Sequence, residues 1–78
     1  MVVKTVYEDQ VIRVIREQLC IDNVEAHMSL TDDLEADSLD LLELGMAIEE
    51  TFDIDVGADD VEKFNTVQDV ITFVEQRK

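Results

Sequence analysis

The chain has 78 residues, 46% of them hydrophobic, which is enough for one small domain spanning 1–78 but leaves little room for a deep active-site cavity. Twenty Asp and Glu residues against six Lys and Arg give a formal net charge of −14. Such a surface repels nucleic acid and anionic membranes, because binding to either depends on basic side chains. It favours protein partners that carry basic patches and bind through contacts weakened by salt.

The compartment is indicated by the cysteine content and by the absence of long apolar runs. Cys20 is the only cysteine, so no internal disulfide can form and a reducing compartment is suitable. No run approaches the ~20 apolar residues of a membrane span, and the N-terminal residues show no signal or transit pattern. We therefore expect a cytoplasmic monomer without stable membrane insertion.

The first helix and the segment after it differ in their hydrophobic pattern. Thr5 and Glu8 have capping-box spacing, and apolar residues at helical intervals follow from Tyr7 to near Cys20. Residues 21–36 keep no sustained period, which predicts a long loop. Isolated apolar residues should pin this loop to the core: Ile21, Val24, Met28, Leu30 and Leu34.

A second helix is predicted from Asp37 or Ser38 to about Phe52. Two adjacent apolar rows and one polar stripe run along it at helical spacing. The rows are Leu39, Leu42, Met46 and Leu41, Leu44, Ile48, and the stripe is Asp40, Glu43, Ala47 and Glu50.

The last third of the chain predicts two further helices. Gly57 ends the connection after the second helix, and 59–64 can form a short third one. Thr66 and Asp69 repeat the cap spacing and open a last helix. No segment predicts a strand, so the expected fold is all-α: a four-helix bundle with a short third helix and a long loop between helices 1 and 2. The buried face of the last helix should carry Val67, Val70, Ile71 and Val74.

Neither a catalytic site nor a metal site is predicted. His27 is the single histidine and has no cysteine at ligand spacing. Calcium-loop frames that begin at Asp32 or Asp53 lack the required glycine or the final glutamate. A glycine-rich phosphate loop is also missing, so an enzyme is not expected.

Ser38 stands at the start of the second predicted helix, within the tetrapeptide Asp-Ser-Leu-Asp. A serine at this position lies on the surface beside free backbone N–H groups, which tolerate a phosphate. Asp37 and Asp40 would repel a free phosphate, whereas a covalent bond would hold one there. By themselves these four residues favour an ordinary N-cap serine.

A longer pattern changes that interpretation. The stretch 35–53, EADSLDLLELGMAIEETFD, closely resembles bacterial acyl carrier proteins of type II fatty acid synthesis. The resemblance extends over essentially the whole chain and includes 17–19, 32–34 and 66–68.

The resemblance implies that Ser38 anchors a 4'-phosphopantetheine arm, transferred from coenzyme A by a phosphopantetheinyl transferase. The thiol of that arm would carry acyl intermediates as thioesters, for fatty acid or related polyketide or specialised lipid biosynthesis. It also implies that the bundle shelters the acyl chain, and that acyl-chain-processing enzymes dock through basic patches. Leu39 and Met46 fit a core position as well as a docking position. The positions that the resemblance assigns to partner binding are Asp37, Leu39, Asp40, Glu43, Met46, Glu49 and Glu50.

Three departures from the family pattern and one rival hypothesis remain open at this point. The proline that is common after the second helix is missing, and residues 56–58, Val-Gly-Ala, stand in its place. Glu35 replaces a glycine that usually precedes the Ala-Asp-Ser run, which puts both the turn geometry and recognition by the transferase in question. Gly45 replaces a larger apolar residue and either loosens the second helix or enlarges the acyl space. The rival is an unmodified acidic module of the same fold, protein-binding or cation-buffering, in which Ser38 only caps a helix.

Overall fold

The computed structural model describes residues 6–78, and the predicted all-α bundle is confirmed. The predicted cap at Thr5 lies outside the described residues. Between residues 6 and 78 the only extended pairing is an isolated bridge from Ser29 to Thr66. No helix in that range is both long enough and apolar enough to cross a membrane. The helices are α1 Val6–Leu19, α2 Ser38–Phe52, α3 Ala58–Glu62 and α4 Val67–Arg77.

One apolar core forms where α1 packs against α2 and α4. Each helix contributes a single stripe of aliphatic side chains, as the 3.6-residue period requires. Fully burying one such side chain stabilises the fold by about 1.5–3 kcal/mol. The apolar stripe of α2 therefore determines which side of that helix faces the core. The predicted buried face of the last helix is confirmed. The buried residues are Val11, Val14 and Ile15 of α1, Leu44, Ile48 and Phe52 of α2, and Val67, Val70, Ile71 and Val74 of α4.

The long loop between α1 and α2 is pinned to the start of α4, as expected. The backbone N–H of Leu30 donates to the carbonyl of Asn65 at 2.8 Å, and that of Val67 donates to Met28 at 3.0 Å. Because backbone hydrogen bonds and buried side chains both hold the loop against the core, the position from which the chain enters α2 is fixed. The buried side chains of the loop are Val24, Leu30, Leu34 and Ala36, and Ile21, Ala26 and Met28 are partly buried against the core.

The third helix is shifted from its predicted range of 59–64. It begins one residue earlier because Gly57 serves as the N-cap and donates its N–H to the Asp60 carboxylate at 3.0 Å. It ends at Glu62 because Phe64 turns into the core, where its ring meets Phe73 edge to face at 5.4 Å. The start of α4 agrees with the prediction, since Thr66 and Asp69 form a reciprocal capping box.

Candidate functional site

The start of α2 is capped by Asp37 and not by Ser38. The backbone N–H of Asp40 donates to Asp37 Oδ1 at 2.9 Å, and the N–H of Asp37 donates to Asp40 Oδ2 at 3.2 Å. This reciprocal capping box satisfies two backbone donors at the helix N-terminus. Ser38 is therefore the first helical residue, and the interpretation of Ser38 as an N-cap is wrong.

The Ser38 hydroxyl is exposed, and it makes no hydrogen bond with any part of the chain that the structure describes. The other serine, Ser29, is engaged: its Oγ accepts from the backbone N–H of Asp32 at 3.1 Å and lies 3.5 Å from the Thr31 hydroxyl. Of the two serines, only Ser38 presents an oxygen that is free for chemistry.

The turn before α2 contains a backbone conformation that favours glycine. Glu35 has φ of 58°, in the left-handed region. Its neighbours leave it little freedom, because Leu34 and Ala36 are both buried and the Ala36 N–H donates to Leu30 at 2.9 Å. The left-handed φ explains why glycine suits this position, and it shows that Glu35 adopts the turn at a cost.

Replacing Glu35 by glycine is expected to raise the free energy of unfolding by about 1 kcal/mol, because the left-handed region costs an ordinary L-residue about 1–2 kcal/mol. Part of this increase in stability is offset because glycine has more conformational entropy in the unfolded chain than glutamate has. Urea unfolding measures the change. Asp53→Gly is the matched comparison, since Asp53 has φ of 56° and aspartate tolerates this region better, so its gain should be smaller. A less stable Glu35→Gly variant would contradict the strain argument.

The two apolar rows of α2 face in different directions. Leu44 and Ile48 are buried in the core, whereas Leu39 is 62% exposed and Met46 is 57% exposed. Sequence reasoning left Leu39 and Met46 between core and surface, and the structure places both on the surface. Leu42 is 47% exposed in the same row, and it was missed as a surface residue although its spacing from Leu39 places both on one side of the helix.

The acidic residues assigned to partner binding flank this exposed apolar row. Asp37, Glu43 and Glu50 are exposed, while Asp40 and Glu49 are half-buried. Asp40 is also occupied by the capping box. The structure thus brings the predicted positions together on one surface of α2, with an apolar centre and carboxylates around it.

An open groove of about 550 Å³ begins at Ser38 and runs between α2 and α3. A larger open groove of about 740 Å³ follows α1 and meets α2 only at Thr51, near the opposite end of α2 from Ser38. The groove at Ser38 is therefore the one that a group attached to this serine would meet first. Its lining residues are Ser38, Leu41, Leu42, Ala58, Val61 and Glu62.

Most of the chain matches proteins of one family. A family profile described as a phosphopantetheine attachment site matches residues 9–74. An acyl carrier protein of Bdellovibrio bacteriovorus is 50% identical over 66 residues, which cover 82% of this chain and 85% of that protein. An acyl carrier protein of Chlamydia felis is 47% identical over 73 residues, which cover 91% of this chain and 94% of that protein.

Solved structures agree with these matches. A Mycobacterium tuberculosis structure assigned to the acyl carrier proteins has a TM-score of 0.83 at 36% identity, covering 88% of this chain and 95% of that chain. An acyl carrier protein of Thermotoga maritima has a TM-score of 0.74 at 21% identity, covering 88% of this chain and 82% of that chain, and shares the fold. The chain therefore belongs to the acyl carrier proteins, a family of carriers, not enzymes, that is defined by its phosphopantetheine attachment site.

Proposed function

We propose that Ser38 Oγ is the atom to which the 4'-phosphopantetheine arm is attached. The chain then carries acyl intermediates as thioesters for fatty acid biosynthesis, or for a related polyketide or specialised lipid pathway. The observation that carries this assignment is the division of roles at the start of α2. Asp37 takes the cap, so the hydroxyl of the exposed neighbour Ser38 is not needed to hold the helix start.

The surroundings of Ser38 fit such a group. The first turn of α2 offers backbone N–H groups and the positive end of the helix dipole to a phosphate. Asp37 and Asp40 oppose this by charge, which disfavours a free phosphate but has little effect on a covalently bound one. The groove that starts at Ser38 offers apolar surface from Leu41 and Val61 to whatever the arm carries.

Attachment needs only the hydroxyl from this chain. Ser38 Oγ attacks the pantetheine-side phosphorus of coenzyme A, the pyrophosphate P–O bond breaks, and adenosine 3',5'-bisphosphate leaves. The hydroxyl proton passes to a base, which we assign to the transferase, because no side chain among the described residues hydrogen-bonds to Ser38. When bound, the arm supplies a terminal thiol that forms the thioester.

Family membership implies two kinds of partner: the modifying transferase and acyl-processing enzymes. We assign their docking to the α2 surface formed by the exposed apolar row and the acids beside it. Lys and Arg of a partner would pair with the carboxylates while apolar side chains cover the row, giving fast, weak and salt-sensitive binding. The residues assigned are Asp37, Leu39, Asp40, Glu43, Met46, Glu49 and Glu50, with Leu42 added from its exposure.

We further assign the chain to the cytoplasm as a monomer. Its single cysteine, Cys20, is an exposed free thiol that forms no disulfide, which suits a reducing compartment. Strong like charge on every copy opposes self-association at low salt.

The test of the function is incubation with coenzyme A and a broad-specificity phosphopantetheinyl transferase, followed by intact-mass analysis and fragment mapping. We expect one phosphopantetheinyl group per chain, located on Ser38. Failure to add the group to folded protein would favour the rival hypothesis of an unmodified acidic module. Addition at another residue would refute Ser38 as the anchor while keeping the carrier function.

A further inference from the structure

Helices α2 and α3 approach closely at Gly45. This residue is buried in the middle of α2, and a Cβ atom there would lie 2.7 Å from Val61 Cγ2 and 3.4 Å from Val56 Cγ1. A Cβ atom essentially never lies within 3.0 Å of a non-bonded heavy atom of another residue. The methyl group of Val61 therefore fills a notch that exists only because residue 45 has no side chain.

Val61 also lines the groove that begins at Ser38, whereas Gly45 does not. Val61 thus stands between the groove and the buried part of α2, where Leu44 and Ile48 are fully enclosed in the core. The Val61 side chain is therefore shared by the groove and by the notch at Gly45.

We infer that Gly45 and Val61 together form a stop that sets how much of a bound acyl chain the groove can shelter. The inference rests on the proposed function, since the occupant is the acyl chain tethered to this chain's own Ser38. Tethering selects this groove because Ser38 is one of its walls, and the walls beyond it are mainly apolar. An acyl chain that extends past Val61 must either stay in water or displace α3, which has only five residues.

The stop predicts how stability depends on the length of the acyl chain. Because each additional sheltered methylene favours the folded state, it should lower the equilibrium constant of unfolding about fourfold until the groove is full. We would load wild type and variants with saturated acyl chains of increasing length from the acyl-coenzyme A, verify loading by intact mass, and measure urea unfolding. The quantity compared is the chain length at which the gain stops.

Three variants test the stop. Val61→Ala removes the methyl group from the notch and should move the limit to longer chains by about one or two methylenes, the volume removed. Gly45→Ala combined with Val61→Ala refills the notch from α2 and should move the limit back toward that of the wild type. Val74→Ala, a truncation of the same size in the core away from the groove, should lower stability without moving the limit.

Val61→Ile tests whether the chain-length limit can also be lowered. This test remains valid even if Val61→Ala does not fold. The added methylene should shift the limit to shorter chains. An unchanged limit in every Val61 variant that loads normally would overturn the stop and leave the carrier function intact. A wild type that gains no stability with chain length would also overturn it. Absence of any loading on folded protein would instead refute the proposed function, and the stop with it.

Discussion

Replacing Ser38 by alanine is expected to abolish the addition of 4'-phosphopantetheine while changing the free energy of unfolding by less than about 0.5 kcal/mol. The physical reason is that the hydroxyl makes no contact that holds the fold. The cap of α2 consists of the Asp37 and Asp40 carboxylates and backbone groups, and the substitution leaves all of them in place. Intact-mass analysis measures the modification, and urea unfolding measures stability.

Asp37→Ala is the matched comparison for Ser38→Ala, because the opposite pair of results is expected: lower stability with normal attachment of the arm. Loss of the cap should cost about 1 kcal/mol of stability, while the Ser38 hydroxyl stays available and the arm is still added. If Ser38→Ala still accepted the arm, the attachment point would be another hydroxyl. If instead Ser38→Ala were destabilised as much as Asp37→Ala, the separation of the two roles would be wrong.

Reversing the charge of Glu43 is expected to lower kcat/KM of the transferase and of acyl-processing partners by about 10- to 100-fold at low salt. Glu43 is exposed beside Leu39 and Leu42 on the surface assigned to docking. A lysine there would repel the basic patch of a partner at short range. The loss should shrink as salt is raised, because exposed charges are screened over about 10 Å at 0.1 M ionic strength.

Glu17→Lys controls for net charge. Glu17 is exposed on α1, so the substitution changes the total charge by the same amount without touching the α2 surface. It should alter kcat/KM much less than Glu43→Lys. Equal losses in the two variants would mean that partners respond to the overall charge and not to a local docking surface.

The two apolar rows of α2 show that hydrophobic periodicity cannot predict which of two similar rows is buried. Leu39, Leu42 and Met46 have the same spacing and much the same chemistry as Leu41, Leu44 and Ile48. A helical pattern shows that both rows are apolar, but it does not show which one meets another helix. Packing of α1 and α3 against α2 decides this, and it leaves the first row exposed to solvent.

The identity of the cap was similarly beyond local reasoning. Asp and Ser are both strong N-cap residues, and they are adjacent here. The choice depends on where the chain enters α2, which is set by the buried Ala36, its hydrogen bond to Leu30 and the left-handed turn at Glu35. These are contacts with the long loop, and no pattern within α2 contains them.

The all-α class, the approximate helix bounds, the acidic character and the resemblance to acyl carrier proteins could all be predicted from the sequence, because periodicity, cap spacing and charge are properties of neighbouring residues. Three features became visible only in the folded protein: Asp37 caps α2 in place of Ser38, the row Leu39, Leu42 and Met46 faces solvent, and Val61 fills the notch at Gly45. The last two depend on distances between segments far apart in the chain, and the cap depends on how the long loop places residue 37 at the entrance to α2. Packing of the whole core sets such distances, and no local pattern encodes them.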